Sequence, residues 1–212
     1  DRERLRTLYL TGSHLTVALA APLAVGIALL ARPLLWQWVG TDFVEAAPVV
    51  AILSAAGFLA AAQWPAVAVL RGMNHHRPLA AAALGAGLLN LGLSLAWAGR
   101  WGLVGVAWGT LAPAFLEFVF VLLYAVRRLD IGVGGAAGRI FAPVLLPLAL
   151  MVCALWAGRQ LWPEQTLLGL GGSGGLGLLT YGIFYLIIGL PAPERQLYRA
   201  TVQSSLRAVI QR

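Results

Sequence analysis

The sequence has no lysine, one cysteine and only eight acidic residues in 212. Each scarcity excludes something. The single cysteine, Cys153, allows no intrachain disulfide, and its apolar setting reads as a small buried hydrophobe. Charged residues make up 11% of the chain, where soluble domains carry about 25%. That is too little charge to clothe a water-exposed surface. Nucleophile motifs, paired carboxylates and metal-ligand spacings are also missing, so the sequence reads as a non-enzyme without cofactor or metal. His75 and His76 are adjacent rather than a helical turn apart and have no third ligand nearby. They read as part of a solvated loop.

What is present is apolar. Hydrophobic residues are 60% of the chain, and the mean hydropathy is +0.82. A domain of this size still exposes roughly a quarter to a third of the surface of its unfolded chain, which water would not tolerate at this composition. Lipid would. The net charge of +7 comes from 15 arginines, but these form no basic patch beside stacking aromatics, which argues against nucleic acid. They sit in short clusters between apolar runs.

Six runs approach the roughly 20 residues needed to cross a hydrocarbon core of about 30 Å. They are Leu15 to Trp38, Ala47 to Leu70, Leu79 to Ala98, Leu103 to Val126, Phe141 to Trp156 (extending toward Leu161), and Thr166 to Leu190. Their alanine- and leucine-rich composition lacks the alternation of a membrane β-barrel. The expected fold is therefore an all-α integral membrane protein, a six-helix bundle over residues 14–190. Residues 1–13 and 191–212 mix arginines with apolar residues at helical spacing. They read as amphipathic segments along the cytoplasmic surface, the second with the alternative of a partner-binding helix.

Arginine position orients the bundle. Arg2, Arg4, Arg6, Arg71, Arg77, Arg127, Arg128, Arg139, Arg195, Arg199, Arg207 and Arg212 fall on one side, and only Arg32, Arg100 and Arg159 on the other. The positive-inside rule then places both termini in the cytoplasm. Trp36, Trp38, Trp101, Trp156 and Trp162 cluster at the sparsely charged ends, as interfacial anchors do.

Polar residues inside apolar runs are the candidate site. Glu117 lies near the middle of the fourth run, on a helical stripe with Thr110, Pro113 and Tyr124. A carboxylate at that depth either faces a cavity or is hydrogen-bonded to a neighbouring helix for packing alone. The stripe is expected to face an interior. Asn90 and Ser94, one turn apart in the third run, suit interhelical hydrogen bonding or substrate contact. Gln63 precedes Trp64 and Pro65, where a kink is expected. Arg32, close to the outer end of the first run, either snorkels or turns inward toward a phosphate. His14 is expected at the inner interface. The glycines from Gly169 to Gly177 lack the lysine and preceding strand of a phosphate loop and read as close helix packing or a bending point.

One stretch resembles a known family. Val69, Leu70, Arg71 and Gly72 precede a basic loop and an alanine-rich run ending in Asn90, Leu91, Gly92, Leu93 and Ser94. Then come Trp101, Gly102, Leu103, Val104, Gly105, Val106, Ala107, Trp108, Gly109 and Thr110. The spacing of Gly102, Gly105, Ala107 and Thr110, with Gly40 and Phe43 after the first run, is similar to the carboxy-terminal half of polysaccharide-type flippases. These belong to the multidrug/oligosaccharidyl-lipid/polysaccharide exporter superfamily. The resemblance covers residues 8–128 best. It implies one lobe of a two-lobe transporter that moves a lipid-linked saccharide by alternating access, with Glu117, Asn90, Gln63, Arg32, Thr110 and Ser94 as cavity candidates. Its implied partners are membrane lipid, the saccharide carrier and a second, amino-terminal lobe, and its implied location is a bacterial inner membrane. A chain beginning at Asp1 reads as a piece of that longer protein. A cation-coupled drug exporter half, and a membrane enzyme or accessory subunit of envelope polysaccharide assembly, are the alternatives.

Overall fold

The computed structural model describes residues 2–162 and 166–189, and every regular element among them is helical. In order these are α1 (Arg2–Leu29), α2 (Ala31–Trp38), a 3-10 turn (Thr41–Ala46), α3 (Ala47–Ala62), α4 (Trp64–Gly72), α5 (His76–Arg128), α6 (Val133–Leu161) and α7 (Leu167–Phe184). A π-helical turn (Tyr185–Gly189) continues α7.

The helix α5 has 53 residues; straight, it would be about 80 Å long at ~1.5 Å per residue. It is not straight. Gly102 takes φ 58° and ψ −139°, a conformation that side chains with a Cβ rarely adopt, and the chain turns back there. A Cβ on Gly109 would sit 2.7 Å from the amide nitrogen of Ser94, whereas residues so far apart in sequence lie ~22 Å apart on a straight helix. Five helical segments are long and apolar enough to cross a membrane, and α5, being a hairpin of two antiparallel limbs, counts twice. The six expected apolar helices are all present, with the third and fourth as these two limbs.

The breaks follow proline. Pro33 has no N–H to give, and the helix of the first run is interrupted at Leu30 (φ −95°, ψ 11°) before resuming as α2. Pro65 does the same in the second run, which divides at Gln63 into α3 and α4, as expected. Residues 2–13, read from the sequence as a surface segment, are the first turns of α1 with no break before its apolar part. Tyr9 and Ser13 belong to the same buried stripe as Val17 and Ala21, at a four-residue spacing that keeps one helix face toward its neighbours. That face meets α3, α4 and α6. The expected tail over 191–212 lies outside the described residues.

Small residues bring α6 and α7 together. A Cβ on Gly158 would lie 3.0 Å from the Ser173 Cα, and one on Gly177 2.7 Å from Leu155. The indole of Trp162 covers Gly172. Close packing is thus what the glycine run provides. Leu70, Val121, Val126, Ile140, Met151 and Leu155 fill the core between these helices. The first limb of α5 stays at the edge, with Leu84, Leu88, Leu91 and Leu95 exposed. Cys153, expected to be buried, is exposed on α6, because the buried stripe of that helix runs through Val144, Met151 and Leu155.

Candidate functional site

The two limbs of α5 are clamped at both ends and stand apart between. Near the turn, Gly105 abuts the Trp97 carbonyl and Gly109 abuts Ser94, so the backbones touch. At the opposite end Leu79 is buried, and the Tyr124 hydroxyl lies 3.1 Å from His75 Nδ1. Between the clamps, Gly85 meets nothing within 4 Å. The gap is an open groove of about 340 Å³ lined by Ala82, Ala86, Leu89, Pro113, Glu117 and Phe120, among others.

Glu117 is the one ionisable residue in that lining. It is half-buried and makes no hydrogen bond or ion pair with any described residue. The alternative of a carboxyl bonded to a neighbouring helix therefore has no partner among the described residues. An unpaired carboxylate against apolar walls is costly unless it is protonated, hydrated or met by a cationic ligand.

Asn90, Ser94 and Thr110 form a separate polar knot in the same hairpin. Ser94 Oγ donates to Asn90 Oδ1 at 3.0 Å, with the Val106 carbonyl of the other limb 3.5 Å away as a second acceptor. Thr110 Oγ1 donates to that same carbonyl at 3.1 Å. Only the Ser94–Val106 contact crosses between the limbs, the other two bonds each staying within one limb, and none of the three side chains lines the groove. Of the stripe Thr110, Pro113, Glu117 and Tyr124, Pro113 and Glu117 line the groove between the limbs, while Tyr124 also packs against the buried core.

The other two candidates lie elsewhere. Gln63 borders a small buried cavity with Tyr9 and Ser13, against α1. Arg32 is exposed on α2 and lines neither space. The six candidates thus divide among the groove, the knot, the cavity and the surface.

A second polar cluster escaped the sequence reading. His14, expected at an interface, is 2% exposed. Its Nδ1 lies 3.3 Å from the Ile140 carbonyl, and the Tyr185 hydroxyl is 2.9 Å from its Nε2. A carbonyl only accepts, so Nδ1 carries the hydrogen and Nε2 accepts from Tyr185. One turn away, Tyr181 stacks on Tyr185 at 5.7 Å and donates to the Ala18 carbonyl at 2.7 Å. That carbonyl needs a donor, since the residue four places on is Pro22. The π-helical turn begins at Tyr185; such turns interrupt the regular ladder and often mark functional positions. The sequence signal was the pair of four-residue spacings, His14 to Ala18 and Tyr181 to Tyr185, but nothing in it joined the two.

His75, expected to be solvated, is instead held by Tyr124, whose ring also meets it edge-on at 5.5 Å. Among the described residues, no group of three or more histidine, cysteine, aspartate or glutamate side chains is placed to hold a metal ion. No family model matches the chain, and no curated protein or solved structure matches it either.

Proposed function

We propose that the chain is an integral membrane protein and that its six-helix bundle is one lobe of a transporter for lipid-linked saccharides. Membrane residence is supported by the long apolar helices and by what they expose. Leu19, Leu95, Trp156 and Leu179 are each about two-thirds exposed or more, on faces that only lipid or another apolar surface would solvate. The arginine asymmetry of the sequence supports a cytoplasmic location for both ends of the chain.

The observation that carries the transport reading is Glu117, a carboxyl without a partner among the described residues, in an apolar groove between two antiparallel helices of membrane-spanning length. Intramembrane ionisable groups usually mark substrate or ion pathways. The Gly102 turn, with Gly105 and Gly109 at backbone contact, is the part of the chain on which the flippase resemblance rests, and those glycines are what allow the hairpin to close. The lobe would act by moving as a body against a partner lobe rather than by covalent chemistry.

The groove's single charge is acidic, and this favours a second reading. A carboxylate suits a proton, a metal cation or a cationic drug better than a carrier pyrophosphate, which needs basic groups from another surface. A cation-coupled exporter half is therefore the alternative. Reconstituted vesicles containing the protein that carries this chain separate the two. Transfer of a lipid-linked saccharide across the bilayer, strongly reduced by Glu117→Gln, is the expected result. Gradient-driven export of a cationic dye without saccharide transfer would establish the alternative, and saccharide transfer unchanged in Glu117→Gln would remove Glu117 from the mechanism.

A further inference from the structure

Three buried side-chain oxygens among the described residues have no hydrogen-bond partner, namely Tyr9 Oη, Ser13 Oγ and Gln63 Oε1. All three residues line one cavity. Tyr9 is 0% and Ser13 3% exposed. Orphaned buried polar groups are rare in folded chains, and each carries the full cost of its lost hydration. Three around a single space are not three separate faults; they point to an occupant.

The surroundings describe that occupant. The cavity measures about 10 Å³, the room that one water molecule requires. It lies where α1 meets the break between α3 and α4, with Gly12 close against Pro65. Its remaining walls are alanines and large apolar groups such as Phe118, Ile140 and Phe141. Gln63 Oε1 can only accept, while the two hydroxyls both donate and accept. Water has two hydrogens and two lone pairs, and so can serve all three oxygens at once. A metal cation fits poorly. No charged residue lines the cavity, so a bare cation would be buried without a counter-charge, on too few oxygens to replace its hydration shell.

We propose that this cavity is a binding site for a single water molecule, held by Tyr9, Ser13 and Gln63 where α1 crosses the α3–α4 break. The water completes the hydrogen bonding of a seam that direct side-chain contact leaves open. It also explains why polar residues are placed at the one point where the second apolar helix is interrupted.

X-ray hydroxyl-radical labelling tests the site, because radiolysis of a bound water produces a radical in place and adds an oxygen to an adjacent tyrosine ring. Tyr181 is the internal control: it is also buried, its hydroxyl is taken by Ala18, and it lies outside this cavity. In the purified unaltered chain, Tyr9 is expected to be oxidised several-fold faster than Tyr181. Gln63→Leu, which removes the acceptor and fills the space, should bring Tyr9 down to the rate of Tyr181. Equal rates for the two tyrosines in the unaltered chain would overturn the proposal without reference to any variant. Replacement of sodium by N-methylglucamine should leave the Tyr9 rate unchanged; a sodium-dependent rate would assign the cavity to a cation and overturn the water.

Discussion

The Tyr181 hydroxyl donates, at 2.7 Å, to the carbonyl of Ala18, the carbonyl that Pro22 deprives of its helical donor. A tyrosine on α7 thus repairs a defect in α1 that lies 163 residues away in sequence. Tyr181→Phe should lower stability by about 1–3 kcal/mol, the usual result of orphaning a buried acceptor. Pro22→Ala restores an N–H four residues after Ala18, so the double variant should lose much less than Tyr181→Phe does alone. Unfolding midpoints of the purified variants measure both. Full additivity of the two changes would show that the bond does not compensate for the proline.

His14 depends on Tyr185 in the same way. Tyr185→Phe keeps the ring, which stacks on His14 at 5.8 Å, but removes the hydroxyl that reaches Nε2. A buried imidazole nitrogen is then left unpaired, at a cost of about 1–3 kcal/mol. Tyr124→Phe, which frees the more accessible His75, should cost less, because water can replace the lost partner. Comparison of the two midpoints checks the order.

Glycine matters in this hairpin according to what faces it. Gly109→Ala places a methyl within 3 Å of the Ser94 main chain. Backbone cannot move aside as a side-chain tip can, so a loss of about 1–3 kcal/mol is expected from overpacking. Gly87 meets nothing within 4 Å, and Gly87→Ala should leave stability unchanged or raise it by up to about 1 kcal/mol through helix propensity. A similar loss in both variants would mean that the limbs do not pack at Gly109.

Cys153 offers a test of membrane residence that needs no new cysteine. It is exposed on α6, eight residues before the end of that helix at Leu161, and by the membrane proposal its thiol faces lipid. A charged reagent does not enter the hydrocarbon core, so a lipid-facing thiol is out of its reach. A charged maleimide should leave Cys153 unmodified in intact vesicles and label it after unfolding in detergent. Rapid labelling in intact vesicles would place that face of α6 in water.

Features of the fold that depend on neighbouring residues were legible in the sequence. Long apolar runs marked the helices, Gly102 between Trp101 and Leu103 marked the turn, and Pro65 marked the break at Gln63. Pairings across the bundle were not legible. Tyr9 and Ser13 looked like parts of a charged surface segment because arginines surround them, and only the packing of α1 against α3 and α4 shows that their helix face is buried. His14 looked interfacial for the same reason. Glu117 stood out because a carboxylate in an apolar run is conspicuous without any partner, but its position in a groove within the hairpin required the register of the two limbs.

The double clamp on that hairpin has a mechanical consequence. A slot pinned near Gly109 and again at His75 and Tyr124 can widen only if one of its walls bends. The first limb contains no proline between Pro78 and Gly102, and an uninterrupted α-helix kinks sharply only where such a feature relieves it. The second limb does contain one, Pro113, in the groove wall four residues before Glu117, so the slot widens by bending of that limb, and the Glu117 carboxyl moves with the bend.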